Sequence, residues 1–155
     1  MIEFPYLPYG TSEKAFPDCR VIKRPVIPIR LNDKNGTLMK YLALLDSGAD
    51  HCIFHASIGE AMGLHVKKGK IYEYEGIEGE LLLSYVHKIK LYIGSLQVKL
   101  YCGFSEDFDK QGILYGLLGQ QGFFDKFDIT FCYQKNIVQI SKARQEKSHS
   151  KIITP

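Results

Sequence analysis

The sequence predicts a mainly β chain with one or two short helices, and three observations predict it. Apolar residues recur with period two, as in Ile71-Tyr72-Glu73-Tyr74-Glu75. The runs are separated by short turn signals, among them Asp33-Lys34-Asn35-Gly36, Gly94-Ser95 and Gln134-Lys135. Only residues 56–62 carry helical spacing, enough for about two turns. At 155 residues, 45% hydrophobic and 24% charged, the chain suits one globular domain.

Taken in order, residues 1–20 form an N-terminal arm. Pro5, Pro8, Gly10 and Pro17 break any period there, and Phe4, Tyr6 and Phe16 pack the arm on the body. Residues 21–31 form a strand interrupted at Pro25 and Pro28; proline donates nothing to a ladder, so this strand lies at an edge or carries a bulge. After the turn at 33–36, residues 37–45 return as its hairpin partner. Cys52-Ile53-Phe54 is a short strand, and the helix over 56–62 turns Ile58, Ala61 and Met62 inward before Gly63 ends it. Lys67, Lys68 and Lys70 make a basic connection, read as a solvated loop, with a docking patch for an acidic partner as the alternative.

Residues 71–75 and 80–87 make a hairpin with the tip Gly76-Ile77-Glu78-Gly79. An isoleucine at a solvated tip is a poor choice unless the tip closes over something; the alternative is an ordinary surface hairpin. Residues 88–92 and 96–102 form a separate hairpin, and 104–112 a loop. Its Asp107-x-Asp109 lacks the later ligands of a calcium loop. The apolar run Ile113-Leu114-Tyr115-Gly116-Leu117-Leu118 ends at Gly119, and residues 128–133 and 136–141 close the domain as a last hairpin.

Charge and cysteines narrow the partners. Residues 142–155 carry Lys142, Arg144, Lys147 and Lys151 against Glu146, the whole excess of +3, so the rest of the chain is neutral. A nucleic-acid binder carries its basic excess on the folded surface, so no nucleic-acid partner is expected. No apolar run reaches the roughly 18–20 residues of a bilayer span, so no membrane partner is expected either. Without a basic n-region or apolar h-region at the start, and with scattered Cys19, Cys52, Cys102 and Cys132, a cytoplasmic chain with free thiols is expected. The polar, basic residues 142–155 read as a flexible tail around a domain spanning 21–141.

The stretch that carries chemistry is Tyr41-Leu42-Ala43-Leu44-Leu45-Asp46-Ser47-Gly48-Ala49-Asp50. Five apolar or aromatic residues suit a strand buried on both faces, and they run directly into an acid. A carboxylate there must find donors or a partner, because desolvating it is costly. Ser47 offers a hydroxyl and Gly48 a close backbone approach.

These residues resemble the active-site signature of aspartic proteases: two hydrophobics, then Asp-(Thr/Ser)-Gly-Ala. One copy in a short chain is similar to the retropepsin-like branch. Two further matches follow in order. Gly76-Ile77-Glu78-Gly79 stands where that family has a Gly-Ile-Gly-Gly-like flap tip, with Glu78 replacing a small residue. Leu117-Leu118-Gly119 resembles the second signature, which the family continues with an Arg-(Asp/Asn) pair and a helix; here the pair is Gln120-Gln121. In retroviral members that Arg pairs with the acid at the position of Asp50, and Gln120 can offer Asp50 only a neutral hydrogen bond.

The resemblance covers about residues 21–141. It implies a closed, retropepsin-like acid-protease β-barrel with a flap hairpin, peptide or protein substrates, and neither cofactor nor metal. It further implies a homodimer in which Asp46 is catalytic and meets its symmetry mate. Ser47, Gly48 and Ala49 support the site. Gly48, Asp50, Gly76, Ile77, Glu78, Gly79 and Leu117 meet an extended substrate. A catalytically inactive dimerisation or peptide-binding module on the same fold is the alternative. His51 and His55 share a strand face but lack further ligands for zinc. Cys52 with a neighbouring histidine is the remaining nucleophile to weigh.

Overall fold

The computed structural model describes residues 1–10, 15, 21–75 and 79–143. Its strands are β1 (Ile2–Pro5), β2 (Leu7–Gly10), β3 (Val21–Arg24), β4 (Val26–Asn32), β5 (Leu38–Leu45), β6 (Cys52–His55), β7 (Lys70–Glu75), β8 (Leu81–Ile93), β9 (Leu96–Ser105), β10 (Gly116–Leu118), β11 (Phe127–Cys132) and β12 (Ile137–Lys142). Two short helices, α1 (Ala56–Ala61) and α2 (Glu106–Lys110), follow β6 and β9. The main sheet is mixed, in the order β4-β5-β10-β6-β9-β8-β7, and β4 also touches β8 at Arg30 opposite Tyr92. That bridge curls the sheet back on itself around the core. A second sheet, β1-β12-β11, and the β2-β3 pair complete the described fold.

The β4–β5 hairpin follows from local chemistry. The Asp33 carboxylate accepts from the Asn35 and Thr37 amides, both at 2.8 Å, and Gly36 takes the left-handed φ of 83°. Ile27, Ile29 and Leu31 on β4 and Tyr41, Ala43 and Leu45 on β5 then alternate into the core. Pro25 separates β3 from β4. Pro28 is tolerated inside β4 because that strand is laddered along one side only, apart from the single bridge to β8. Burial on both faces of β5 does not hold: Leu42 is 37% exposed and Leu44 half-buried, because among the described residues no second layer covers the outer face of this strand.

Three further expectations change. Leu81–Ile93 is one strand of 13 residues that serves both β7 and β9, so the two predicted hairpins share it. No glycine or proline interrupts its alternation. The predicted loop after Phe104 contains α2, capped by Ser105, whose hydroxyl accepts from the Asp107 amide at 3.2 Å, with acids in the first turn. On α1, Ala61 is exposed, and Ala56 and Gly59 are the buried residues. A side chain at 59 would come within 2.8 Å of Phe104 and Val66, so the helix settles on Phe104 through its glycine. Ile58 and Met62 do pack against the core, and Gly63 ends the helix at a φ of 81°.

At the ends, β1 pairs with β12, Ile2 opposite Ile140 and Phe4 opposite Val138, and Tyr6 is buried behind it. The β11–β12 hairpin turns through Asn136 in the left-handed region at φ 58°. The helix implied after the second signature is absent. Residues 122–126 are turns instead, tied by the Asp125 carboxylate accepting from the Gly122 amide at 3.0 Å.

Candidate active site

β5 delivers Asp46, and β10 holds the end of β5 in place. β10 runs parallel to β5, with Leu117 opposite Leu44 and Leu118 opposite Leu45, and antiparallel to β6 on its other side. The Asp46 amide donates to the Leu118 carbonyl at 3.0 Å, continuing the ladder to the acid itself. The chain then turns tightly. The Asp46 carboxylate accepts from the Gly48 amide at 2.9 Å, and the Asp46 carbonyl from the Ala49 amide at 3.3 Å.

Beyond the turn the chain crosses Gly119. The Gln120 and Gln121 amides donate to the Ala49 and Asp50 carbonyls, each at 2.8 Å. A Cβ on Gly119 would stand 2.6 Å from the Ala49 oxygen and closer still to that of His51. Two backbone segments touch here with no room for a side chain. The Gln120 side chain donates to the Ser47 carbonyl at 2.7 Å, so its partner is the loop backbone and not the Asp50 carboxylate. Within one chain Asp46 is only partly buried, and Ser47, Gly48 and Asp50 are exposed. The full burial expected of the acid is therefore absent, because the loop ends the core on an open face.

This face opens into a cleft of about 890 Å³. The loop contributes Asp46, Gly48, Ala49 and Asp50, the strands behind it Ile53 and Leu117. The opposite wall is β7 with Tyr72, Glu73, Tyr74 and Glu75, and one end is closed by Phe108 and Ile113. Ser47 belongs to the loop but does not line the cleft. Gly79 is exposed with a φ of 80°, also outside the lining, while Gly76, Ile77 and Glu78 lie outside the described residues.

The aromatic wall escaped the sequence reading, although the alternation of residues 71–75 already places Tyr72 and Tyr74 on one face. Their rings are near-parallel with centroids 6.5 Å apart, and His51 meets Tyr72 edge-on at 4.9 Å. Burial pushes the Tyr74 hydroxyl pKa up, and it donates to the Ser105 hydroxyl at 3.2 Å. Ser105 in turn donates to the Leu83 carbonyl at 2.7 Å, and Asp107 accepts from the Leu83 amide at 3.2 Å. The tyrosine wall therefore hangs on the start of α2.

His55 Nε2 faces the Ile113 carbonyl at 2.6 Å, so that nitrogen carries the proton; Nδ1 accepts from the Tyr41 hydroxyl at 2.5 Å. Burial pushes the Tyr41 pKa far up, which keeps it a donor. Both ring nitrogens are thus engaged, one on Ile113 at the cleft and the other on Tyr41. Cys52 is buried and donates to the Gln121 carbonyl at 3.7 Å; burial pushes its thiol up to about 11, the opposite of a prepared nucleophile. Asp109 accepts from the Ser57 hydroxyl at 2.5 Å, which takes it out of any calcium loop. Among the described residues no group of three or more His, Cys, Asp or Glu is placed to hold a metal, and no helix is long and apolar enough to cross a membrane.

No protein-family model matches the sequence, and no curated protein does. Solved structures do match. A retropepsin-like aspartic protease from Rickettsia conorii superposes with a TM-score of 0.53 at 16% identity, over 91% of this chain and 99% of that one. The chain has the retropepsin-like aspartic-protease fold. The EIAV protease in complex with the inhibitor HBY-793 also matches, at 19% identity over 63% of this chain and 83% of that one, with a TM-score of 0.46.

Proposed function

We propose that this chain is an aspartic endopeptidase that works as a homodimer. The observation that carries the reading is Asp46 itself: a carboxylate held by its own turn on a backbone-braced loop, at the floor of a cleft, in a retropepsin-like fold. Peptide hydrolysis by carboxylates needs two of them. One takes a proton from water while the other, protonated, polarises the scissile carbonyl. Held about 3 Å apart they cannot both ionise, so they share a proton and titrate as a pair. The sequence supplies one such acid per chain. The exposed Ser47 and Gly48 leave its loop open to a two-fold partner. An extended peptide or protein segment then lies between Asp46 and β7, with Gly48, Asp50 and Leu117 against it and residues 76–79 as the flap. No step calls for a cofactor. The unbridged thiols of Cys52, Cys102 and Cys132 suit a reducing compartment such as the cytoplasm.

A second reading, a peptide-binding or dimerisation module that does not cleave, is favoured by one observation. The Gln120 side chain braces Ser47 and brings no charge to Asp50, which makes no ion pair among the described residues. One experiment separates the two: digestion of a mixed peptide library by wild type and Asp46→Asn, from about pH 4 to about pH 7, read by mass spectrometry. An endopeptidase loses about 10²–10⁴-fold or more of its cleavage on this substitution. A folded dimer whose wild type cuts nothing selects the module.

A further inference from the structure

The charge on the cleft walls is one-sided. Asp46, Asp50, Glu73, Glu75 and Glu80 line it, and among the described residues no lysine or arginine does. The ion pairs of the described residues draw on other acids, Glu106, Asp107 and Asp125, and leave Asp50, Glu73 and Glu75 without a cation. The chain outside its basic tail is neutral, so this imbalance is local to the cleft.

A second observation gives the imbalance a geometry. β7 is the terminal strand of the main sheet, paired with β8 on one side and with no strand on the other among the described residues. An extended segment can therefore add to it through main-chain hydrogen bonds. Along β7 the side chains alternate: Glu73 and Glu75 on one face, Tyr72 and Tyr74 on the other. A strand laid against this edge presents its own residues in the same alternation. Residues on the glutamate face meet carboxylates, and residues on the tyrosine face meet aromatic rings and the apolar Ile53 and Leu117.

We propose that the free edge of β7 receives an extended peptide with Lys or Arg at alternate positions and apolar residues between them, Glu73 and Glu75 being the specificity-determining side chains. The inference rests on reading the cleft as a peptide site, and it deepens that reading by naming the substrate class. Opposite charges facing each other across paired strands favour association. The negative walls add attraction that salt weakens.

The test uses three fluorescent peptides of equal length: one alternating Lys with Leu, one with Gln replacing each Lys, and one with the same Lys and Leu residues in two blocks. Binding to full-length Asp46→Asn is read by anisotropy at low and high salt, and cleavage by wild type is read in parallel. The alternating Lys peptide is expected to bind about tenfold tighter than its Gln counterpart at low salt, the yield of two cross-strand charge pairs. Its advantage over the block peptide should survive high salt. In Glu73→Gln/Glu75→Gln the Lys-over-Gln ratio should fall to about twofold. Both residues are exposed, and circular dichroism checks that the variant folds. Equal binding of the Lys and Gln peptides overturns the inference, as does an unchanged ratio in the double variant. Equal binding of alternating and block peptides also overturns it, by removing the strand register. Selective binding without cleavage by wild type upholds the inference and removes the endopeptidase; cleavage without selectivity does the reverse.

Discussion

The two walls of the cleft are held by different kinds of bond. On the Asp46 side the brace is mostly backbone, with the Asp46 carboxylate on the Gly48 amide and the Gln120 side chain on the Ser47 carbonyl added to it. Leu118 receives the Asp46 amide, Ala49 and Asp50 receive those of Gln120 and Gln121, and Gly119 is pressed against two carbonyls. On the β7 side the backbone ladder to β8 is reinforced by side chains. The Ser105 hydroxyl accepts from Tyr74 and Asp107 and donates to Leu83, and the Asp107 carboxylate holds the Leu83 amide. A backbone brace tolerates changes of side chain but not of volume. A wall reinforced through one hydroxyl can be loosened by a single atom. Asp46 is thereby braced by the main chain around it, while the β7 wall can be altered one side chain at a time.

The largest expected effect breaks the brace. Gly119→Ala puts a methyl where two carbonyl oxygens already stand, and neither segment can move without unpairing β10. A loss of about 3 kcal/mol or more, or failure to fold, should appear in urea unfolding. A loss below about 1 kcal/mol would mean that the crossing is loose and the contrast between the walls unfounded.

Alkaline pH acts on the same side through Cys52. Burial raises its thiol from the ordinary 9.0 to about 11, so the folded state keeps a proton that the unfolded chain releases. That stability is complete below pH 9.0 and is lost as pH rises through about 11. Two pH units correspond to about 2–3 kcal/mol. Cys52→Ala should flatten the fall of the melting temperature across this window; an identical fall assigns it to other groups, Tyr41 among them.

On the other wall, Ser105→Ala removes a cap and leaves the Tyr74 hydroxyl and the Leu83 carbonyl without their partner. A loss of about 1–2 kcal/mol is expected, with faster hydrogen exchange along β7 and β8 than around Asp46. Equal acceleration on both walls would join them into one unit. Asp107→Asn is the mildest. It keeps an acceptor for Leu83 and gives up an exposed ion pair with Lys110 at 3.5 Å. A loss of at most about 1 kcal/mol should follow.

Much of this was legible in local pattern. The alternation of β4, β5, β7, β11 and β12 and the turn chemistry of Asp33 and Gly36 depend on neighbours a few residues away. The Asp46-Ser47-Gly48-Ala49 loop was legible through resemblance. α2 also had a local signal, Ser105 followed by Glu106 and Asp107, which lost to the reading of an acidic loop. Residues 81–93 carried no breaker, yet the glycine-bearing tips on either side suggested two hairpins where one strand serves both. Gln120 was matched to Asp50 because sequence shows that an amide can bond but not which oxygen it reaches.

The sequence by itself determined the elements: period-two strands, their turns, one acid at a strand end and a neutral body with a basic tail. Each follows from sterics and solvation over a handful of residues. Only the tertiary structure decided that β10 would slot between β5 and β6, that Gly119 would lie against the Ala49 and His51 carbonyls, and that β7 would be left at an edge facing Asp46. Those contacts join residues far apart in the chain. They are selected by how the whole core packs, and no local pattern encodes them.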